Sequence, residues 1–334
     1  MKILLDSSKN YYKANLHCHS VYSDGKLTVE ELKKRYKEKG YSIVAFTDHE
    51  HLIDNTRLDD EGFMTITSCE IAIKEFPTVS TGVNQNMKVV HLNFYSKDPH
   101  NIKTPCYSSL FDTRVKDNNR DLIWQSEVDF DRKYSGEGVC EIIDIANKEG
   151  FLVSYNHPTW SLESALDYAN YDNLFAVEIY NHSCMRNGLH DDETAFDTML
   201  RLGKKIYCTA CDDNHNSPTG LSPLDDSFGG WVMINADKLE YSTIMTALEN
   251  GDFYASTGAE IYSITYDNGI VSVKTGAAKK ITYIARSRRT MSVCAKEGES
   301  VFEAHFPVKE QDGYFRIRVE GENGGFAYSQ AFEI

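Results

Sequence analysis

Long apolar runs are missing from this chain of 334 residues. No stretch approaches the ~20 apolar residues of a membrane span. The opening segment, Met1 to Lys13, holds only the triplet Ile3-Leu4-Leu5, too short for a signal-peptide core. The expectation is a cytoplasmic protein with no membrane partner. Cysteine is scarce. Eight residues are too few for a disulfide scaffold, and cytosolic thiols stay reduced. Cys208 and Cys211 form one C-x-x-C with no second pair, so both read as small buried residues. Proline is rarer still, at seven residues, and no Pro-rich linker, low-complexity tract or internal repeat is present. Positive charge is also short: 35 Lys and Arg stand against 50 Asp and Glu, a formal charge of −15. Nucleic-acid binding needs a basic footprint, so that class of partner is excluded. A small anionic substrate is not, provided that a site carries cations.

What is present is an ordinary globular composition, 41% hydrophobic and 25% charged, enough for a substantial core. The length suits two domains, or one barrel with an appendage. Strand-like and helix-like segments alternate through the first part. Tyr12 to Leu16 leads into a strand. Thr28 to Lys39 reads as a helix opened by a Thr28–Glu31 capping box and stopped by Gly40. Strands follow at Ser42 to Phe46, Phe63 to Ile73, Lys88 to Tyr95, Phe151 to Tyr155, Phe175 to Tyr180 and Ile206 to Ala210. Helices are expected at Glu137 to Lys148 and Asp192 to Leu202. Repeated β-then-α units imply a parallel sheet or barrel. Residues 96–133 form a long polar insertion, a candidate lid, and Asp212 to Gly230 is irregular. After about residue 258 only short alternating strands remain: Ile261 to Tyr266, Ile270 to Lys274, Ile281 to Ala285, Phe315 to Val319 and Ala327 to Phe332. The expected division is therefore 1–258, α/β, and 259–334, a small all-β, sandwich-like domain.

The histidines carry the chemical signal. His17-x-His19 ends the first strand, and Asp24 follows. Asp48-His49 ends the second, Glu70 lies in the third, His91 in the fourth, and His157 ends the fifth. Asp213-x-His215 follows the strand at Ile206 to Ala210. Residues i and i+2 of a strand point the same way, so His17 and His19 can grip one ion. Imidazoles and carboxylates together suit zinc, manganese or iron, and a carboxylate can bridge two ions. Nearly all these residues lie at strand ends, where α/β barrels build their active sites.

Asn15-Leu16-His17-Cys18-His19-Ser20, Ser23-Asp24-Gly25, Thr47-Asp48-His49, Glu70, His91, Asn156-His157-Pro158 and Asp213-Asn214-His215 together resemble the motifs of the PHP (polymerase and histidinol phosphatase) superfamily, in the family's order. The resemblance implies a distorted (β/α)7 barrel with a trinuclear metal site. His17, His19, Glu70 and Asp213 would hold one ion. Glu70 would bridge to a second, completed by His91 and His157. Asp24, His49 and His215 would hold a third, with Asp48 orienting a ligand. The family's Gly-Ser-Asp-x-His reads Cys211-Asp212-Asp213-Asn214-His215 here, so Asp212 is the alternative to Asp213. Gly230-Trp231-Val232, the helix end Ala247 to Gly251 and Phe253 to Gly258, followed by an all-β domain, are similar to the carbaryl-hydrolase-like branch.

The resulting expectation is a metal-dependent hydrolase using two or three divalent ions, with a small-molecule substrate. A phosphoesterase is favoured, with a carboxyl-ester, carbamate or amide hydrolase as the alternative and a non-catalytic metal-binding protein as a further one. Asp213 would accept a proton from the nucleophilic water, and His215 or His182 would protonate the leaving group. Tyr155 and Trp160 are candidates for an apolar pocket wall. Arg186, Lys74 and Arg57 are candidates for anion contacts. The C-terminal domain would serve a structural role or self-association into a homo-oligomer.

Overall fold

The structure, a computed structural model, describes residues 1–114, 124, 126, 128–216 and 225–334. The centre of the 96–133 insertion and part of the irregular Asp212 to Gly230 stretch lie outside the described residues. Among the described residues, no helix is long and apolar enough to cross a membrane.

The chain opens with β1 (Lys2–Leu5) and β2 (Asn10–Cys18). Helix α1 (Val29–Glu38) follows, entered through the expected capping box: the Thr28 hydroxyl accepts from Glu31 N–H at 3.2 Å, and the Glu31 carboxylate accepts from Thr28 N–H at 2.9 Å. Next come β3 (Ile43–Phe46), β4 (Met64–Lys74) and β5 (Val89–Ser96). Helix α2 (Gly136–Lys148) precedes β6 (Phe151–Tyr155), and the short α3 (Ala165–Tyr168) precedes β7 (Ala176–Asn181). Then α4 (His182–Arg186), α5 (Thr194–Arg201), β8 (Tyr207–Cys211), β9 (Trp231–Ala236), α6 (Tyr241–Asn250) and β10 (Phe253–Ser256) complete the mixed α/β part.

Pairing is parallel from β2 through β3 to β4 and from β6 through β7 to β8, but β5 runs antiparallel to both β4 and β6. The sheet is thus mixed rather than parallel throughout. The reason is the connection between β4 and β5, which holds no helix: Glu75 N–H donates to Lys88 C=O at 3.1 Å, so the chain turns back as a hairpin. A parallel return would need a crossover of a dozen or more residues. The sheet curls until a parallel bridge joins Cys18, at the end of β2, to Asn214, just past β8. Apolar side chains of α2 and α5, among them Ile142, Ile143, Phe196 and Met199, pack against one face. Cys208 and Cys211 are both fully buried, in separate apolar clusters.

The C-terminal strands are β11 (Ile261–Asp267), β12 (Ile270–Ala285), β13 (Thr290–Cys294), β14 (Val301–Pro307), β15 (Tyr314–Gly321), β16 (Phe326–Ser329) and β17 (Phe332–Glu333). All pair antiparallel. The two strands expected at Ile270 to Lys274 and Ile281 to Ala285 are one strand of 16 residues. Its register shifts around Ala278, where it passes from β14 to β15. The Thr275-Gly276-Ala277 run that reads as a break is this bend.

This β region is joined firmly to the rest. β1 pairs with β11, and β10 pairs with both β9 and β16. The nearly buried Arg316 of β15 reaches across to α5 and its entry: Nε lies 2.9 Å from Asp197 Oδ1, Nη2 lies 3.1 Å from Asp197 Oδ2, and Nη1 pairs with Glu193.

Candidate metal centre

The strand ends bring nine side chains to one place, and at the middle of them is Glu70. Its Oε1 lies 3.0 Å from His91 Nδ1, 3.2 Å from His17 Nε2 and 3.3 Å from His157 Nε2. Its Oε2 lies 3.1 Å from His49 Nδ1 and 3.5 Å from His19 Nε2. Asp213 faces it, with Oδ1 at 3.0 Å from His19 Nε2 and 3.1 Å from His17 Nε2. Asp24 Oδ2 lies 3.4 Å from His49 Nε2, and its Oδ1 lies 3.4 Å from His215 Nε2.

Ligand atoms fall into four overlapping groups within 4.8 Å: His19, Asp24, His49 and His215; His17, His19 and Glu70; His17, His157 and Asp213; and Glu70, His91 and His157. All nine residues expected as metal ligands are in this set. His19 stands with the Asp24 group as well as with His17 and Glu70, whereas the resemblance places it only with His17, Glu70 and Asp213. His91 also departs from the expected pattern, since it lies near the start of its strand. Because β5 runs antiparallel, its start lies on the same face as the ends of its neighbours.

The donor chemistry fits divalent cations. The His17 and His19 Nε2 atoms are only 3.3 Å apart, and both are aimed at carboxylate oxygens. His91 Nδ1, although 3.0 Å from Glu70, makes no hydrogen bond with it, so the ring nitrogen and the carboxylate converge without the geometry of a shared proton. Burial by itself would lower the pKa of His17, but the carboxylates of Asp213, Glu178 and Glu70 hold it well above the ordinary histidine value. His215, half-buried beside Asp24 and Asp213, is raised to about 9. Burial lowers His91 to about 4. Glu70 and Asp213 are held well below the carboxylate range against the cost of burial, Glu70 by His91 and His17, Asp213 by His17 and His19. A buried cluster of anions and imidazoles in which the carboxylates remain charged is a setting for cations.

Outer residues hold these ligands in place. Asp48 orients the loop that presents Asp24: it accepts from Ser20 N–H at 2.8 Å, Ser23 N–H at 3.0 Å, Ser23 Oγ at 2.7 Å and Ser20 Oγ at 2.7 Å. Gly25 is required there, because a Cβ at that position would meet the His19 carbonyl group at 2.6 Å. The two alternatives after the eighth strand separate cleanly. Asp213 faces the cluster, at a backbone φ of 52°, with its N–H donating to His17 C=O at 2.9 Å. Asp212 turns away, accepting from the N–H groups of Phe228, Gly229 and Gly230 at 2.8, 2.9 and 3.0 Å and from the Tyr36 hydroxyl at 2.8 Å. Burial pushes its pKa up to about 6.

Three residues absent from the sequence-based set do similar work. Glu178, fully buried in β7, takes His17 Nδ1 at 2.7 Å and the His157 N–H at 3.1 Å. Asn181 donates to Glu178 at 3.0 Å and to Asp213 at 3.1 Å. Asn156 donates to Glu70 at 2.9 Å. Glu178 did leave a signal: it is a carboxylate between Val177 and Ile179 in a strand with no exposed residue. Since outer partners of metal-ligating histidines typically account for 10–100-fold in affinity, Glu178→Ala is expected to weaken metal binding by about that factor. Calorimetric titration of the purified variant checks it, and unchanged affinity would show that His17 needs no orienting partner.

A cavity of about 320 Å³ opens onto the cluster. Trp160 and Leu189 line it with Asp24, His49, Asp213 and His215, and no Lys or Arg is among its described lining residues. Several expected substrate contacts lie elsewhere. Tyr155 is in the core, its hydroxyl 2.6 Å from Glu163, because the chain leaves β6 at that residue and His157 turns to the site on its own backbone. His182 does not line the cavity. Helix α4 begins at that residue and carries its ring over Gly229, with Nδ1 2.9 Å from the Tyr180 hydroxyl. Arg186 is exposed on α4 and outside the lining. Arg57 pairs with Glu30 on the surface, and Lys74 lies over the Phe111 ring at 5.2 Å.

Residues 15–177 match the family model of the PHP domain. No curated protein matches the chain. Among solved structures, the chain is similar to a two-domain protein from Bacteroides vulgatus ATCC 8482 containing a predicted PHP-like metal-dependent phosphoesterase. Identity is 14%, 99% of this chain and 98% of that chain are covered, and the TM-score is 0.47. It is also similar to a protein from Bifidobacterium adolescentis ATCC 15703 provisionally described as a metal-dependent phosphoesterase, at 18% identity, with 63% and 91% covered and a TM-score of 0.37. An amidohydrolase from Chromobacterium violaceum, solved with bound sulfate and no metal, is similar at 17% identity, with 64% and 93% covered and a TM-score of 0.34.

Proposed function

We propose that this chain is a metal-dependent hydrolase that cleaves a phosphoester bond in a small molecule. The observation that carries the reading is the merged set of ligand groups around Glu70 and His19, which has room for more than one cation. Two or three zinc, manganese or iron ions held there would acidify an attacking water and neutralise charge developing on the phosphoryl oxygens. Glu70 bridges, and His17, His19, His49, His91, His157, Asp24, Asp213 and His215 complete the ligand set. Asp213 is placed to take a proton from the attacking water, and His215, at the cavity wall, is placed to return one to the leaving group. His182 has no part in this scheme. The curled sheet from β2 to β8 is read as the distorted barrel, residues 259–334 as a separate β domain, and the chain as a member of the carbaryl-hydrolase-like branch.

A second reading has its own observation. The cavity carries an indole and an isobutyl group but no described Lys or Arg, a wall that suits a carboxyl ester or carbamate. Initial rates on aryl phosphate, aryl acetate and aryl carbamate, with added Mn or Zn and with chelator, distinguish the two. Turnover of the phosphate alone, lost with chelator, is expected. Chelator-sensitive turnover of the acetate or carbamate alone would replace the first reading with the second, and no chelator-sensitive turnover would defeat both.

A further inference from the structure

Trp160 stands at the edge of the metal cluster without belonging to it. Its ring centroid is 4.8 Å from that of His91 and 5.0 Å from that of His157. Behind it lie Ala72, Met87 and Val89, while part of the indole remains on the cavity wall. The segment that carries it is fixed from two sides. Thr159 N–H donates to Asp191 at 2.8 Å, and Val89 N–H donates to Ser161 C=O at 3.3 Å. The Thr159 hydroxyl donates to His190 C=O at 3.1 Å, which ties this segment to the one bearing Leu189. Indole and isobutyl group therefore line one cavity on two segments that hold each other.

We propose that Trp160 and Leu189 form a subsite for a flat, uncharged ring, so that the enzyme acts on aryl or heteroaryl esters, with the ester group over the metal cluster and the ring against the indole. This rests on the hydrolase reading above and names its substrate class. Three features of the cavity converge on it. The indole is part of the cavity wall, and an aromatic ring packed against it gains beyond its buried area. The charged groups of the lining are carboxylates and histidines gathered at the cluster, so a second anionic group on the substrate would meet no described Lys or Arg. The wall is also held before substrate arrives, which lowers the entropy lost on binding.

The test uses non-hydrolysable pairs on the Mn-loaded full chain, followed by calorimetry: phenylphosphonate against methylphosphonate, and benzoate against acetate. The phenyl member of a pair is expected to bind about tenfold more tightly. That preference should vanish in Trp160→Ala and survive in Trp160→Phe, with metal content unchanged in both. A Trp160-dependent preference in the carboxylate pair but no phosphonate binding would sink the phosphoester reading and keep the subsite. No preference in either pair, no binding of either, or a preference that survives Trp160→Ala would overturn the subsite. So would loss of metal from Trp160→Ala, because the indole would then be a cover for His91 and His157.

Discussion

Glu70→Ala is expected to lose bound metal and to lower turnover by about 10³-fold or more, because both the ligand bridge and the acidified water depend on it. One carboxylate lies within 3.5 Å of five histidines, His17, His19, His49, His91 and His157. No other carboxylate of the cluster reaches both His49 and His91. Taking it away leaves those imidazoles without a shared anion, and any cations brought there would repel one another across the gap. Glu70→Gln keeps the shape, and its amide oxygen can still accept from Asn156, but it lacks the charge. It should hold some metal with weaker affinity than the native chain. Metal content after dialysis and kcat, measured on the same samples, check the prediction, with thermal melting to show that the variant is folded. Native metal content in Glu70→Ala would remove the bridging role.

The legible part of the site was the part written at strand ends. His17-x-His19, Asp48-His49, His157 and Asp213-x-His215 each follow a short apolar run, and a strand's two-residue period then fixes which side chains share a face. The parts that were not legible depend on what the strands do next. His182 follows β7 even more directly than His157 follows β6, yet the chain enters α4 at that point and the ring leaves the site. Tyr155 is two residues from His157, but the chain has left the strand between them, and His157 takes a φ of 28°. Same-face alternation no longer applies there. The direction of β5 was also missed, since a polar segment without helical periodicity, residues 75–88, gives the hairpin only through its length. Glu178 and Arg132 are long-range matters. Their roles come from partners brought near by folding, and no local pattern encodes those.

Arg132 leads to the largest stability effect expected outside the metal ligands. It belongs to the last residues of the insertion that reads as a lid, but its guanidinium is buried at the root of the site. Nη1 lies 2.7 Å from Glu50 Oε2, Nε donates to Cys106 C=O at 2.9 Å, and Nη1 donates to Ala72 C=O at 2.9 Å. Glu50 is next to His49, at a φ of 69°, and its N–H donates to Glu70 C=O at 2.7 Å. Its Oε1 accepts from Ala72 N–H at 2.9 Å. The pair therefore staples the insertion to β4 directly behind two metal-ligand positions. Removing one partner of a buried ion pair typically costs about 3–5 kcal/mol, because the other charge is left uncompensated. Arg132→Met should cost about that much in chemical denaturation. Metal affinity should fall with it, since the stranded Glu50 carboxylate must either draw in water or move, and His49 moves with it. Arg132→Lys keeps the charge but not the planar fork that reaches three acceptors, so it should recover only part of the loss. The double variant Glu50→Gln/Arg132→Met removes both charges and should be more stable than Arg132→Met alone. A single Arg132→Met variant as stable as the native chain would show that the ion pair does not hold the insertion to the site.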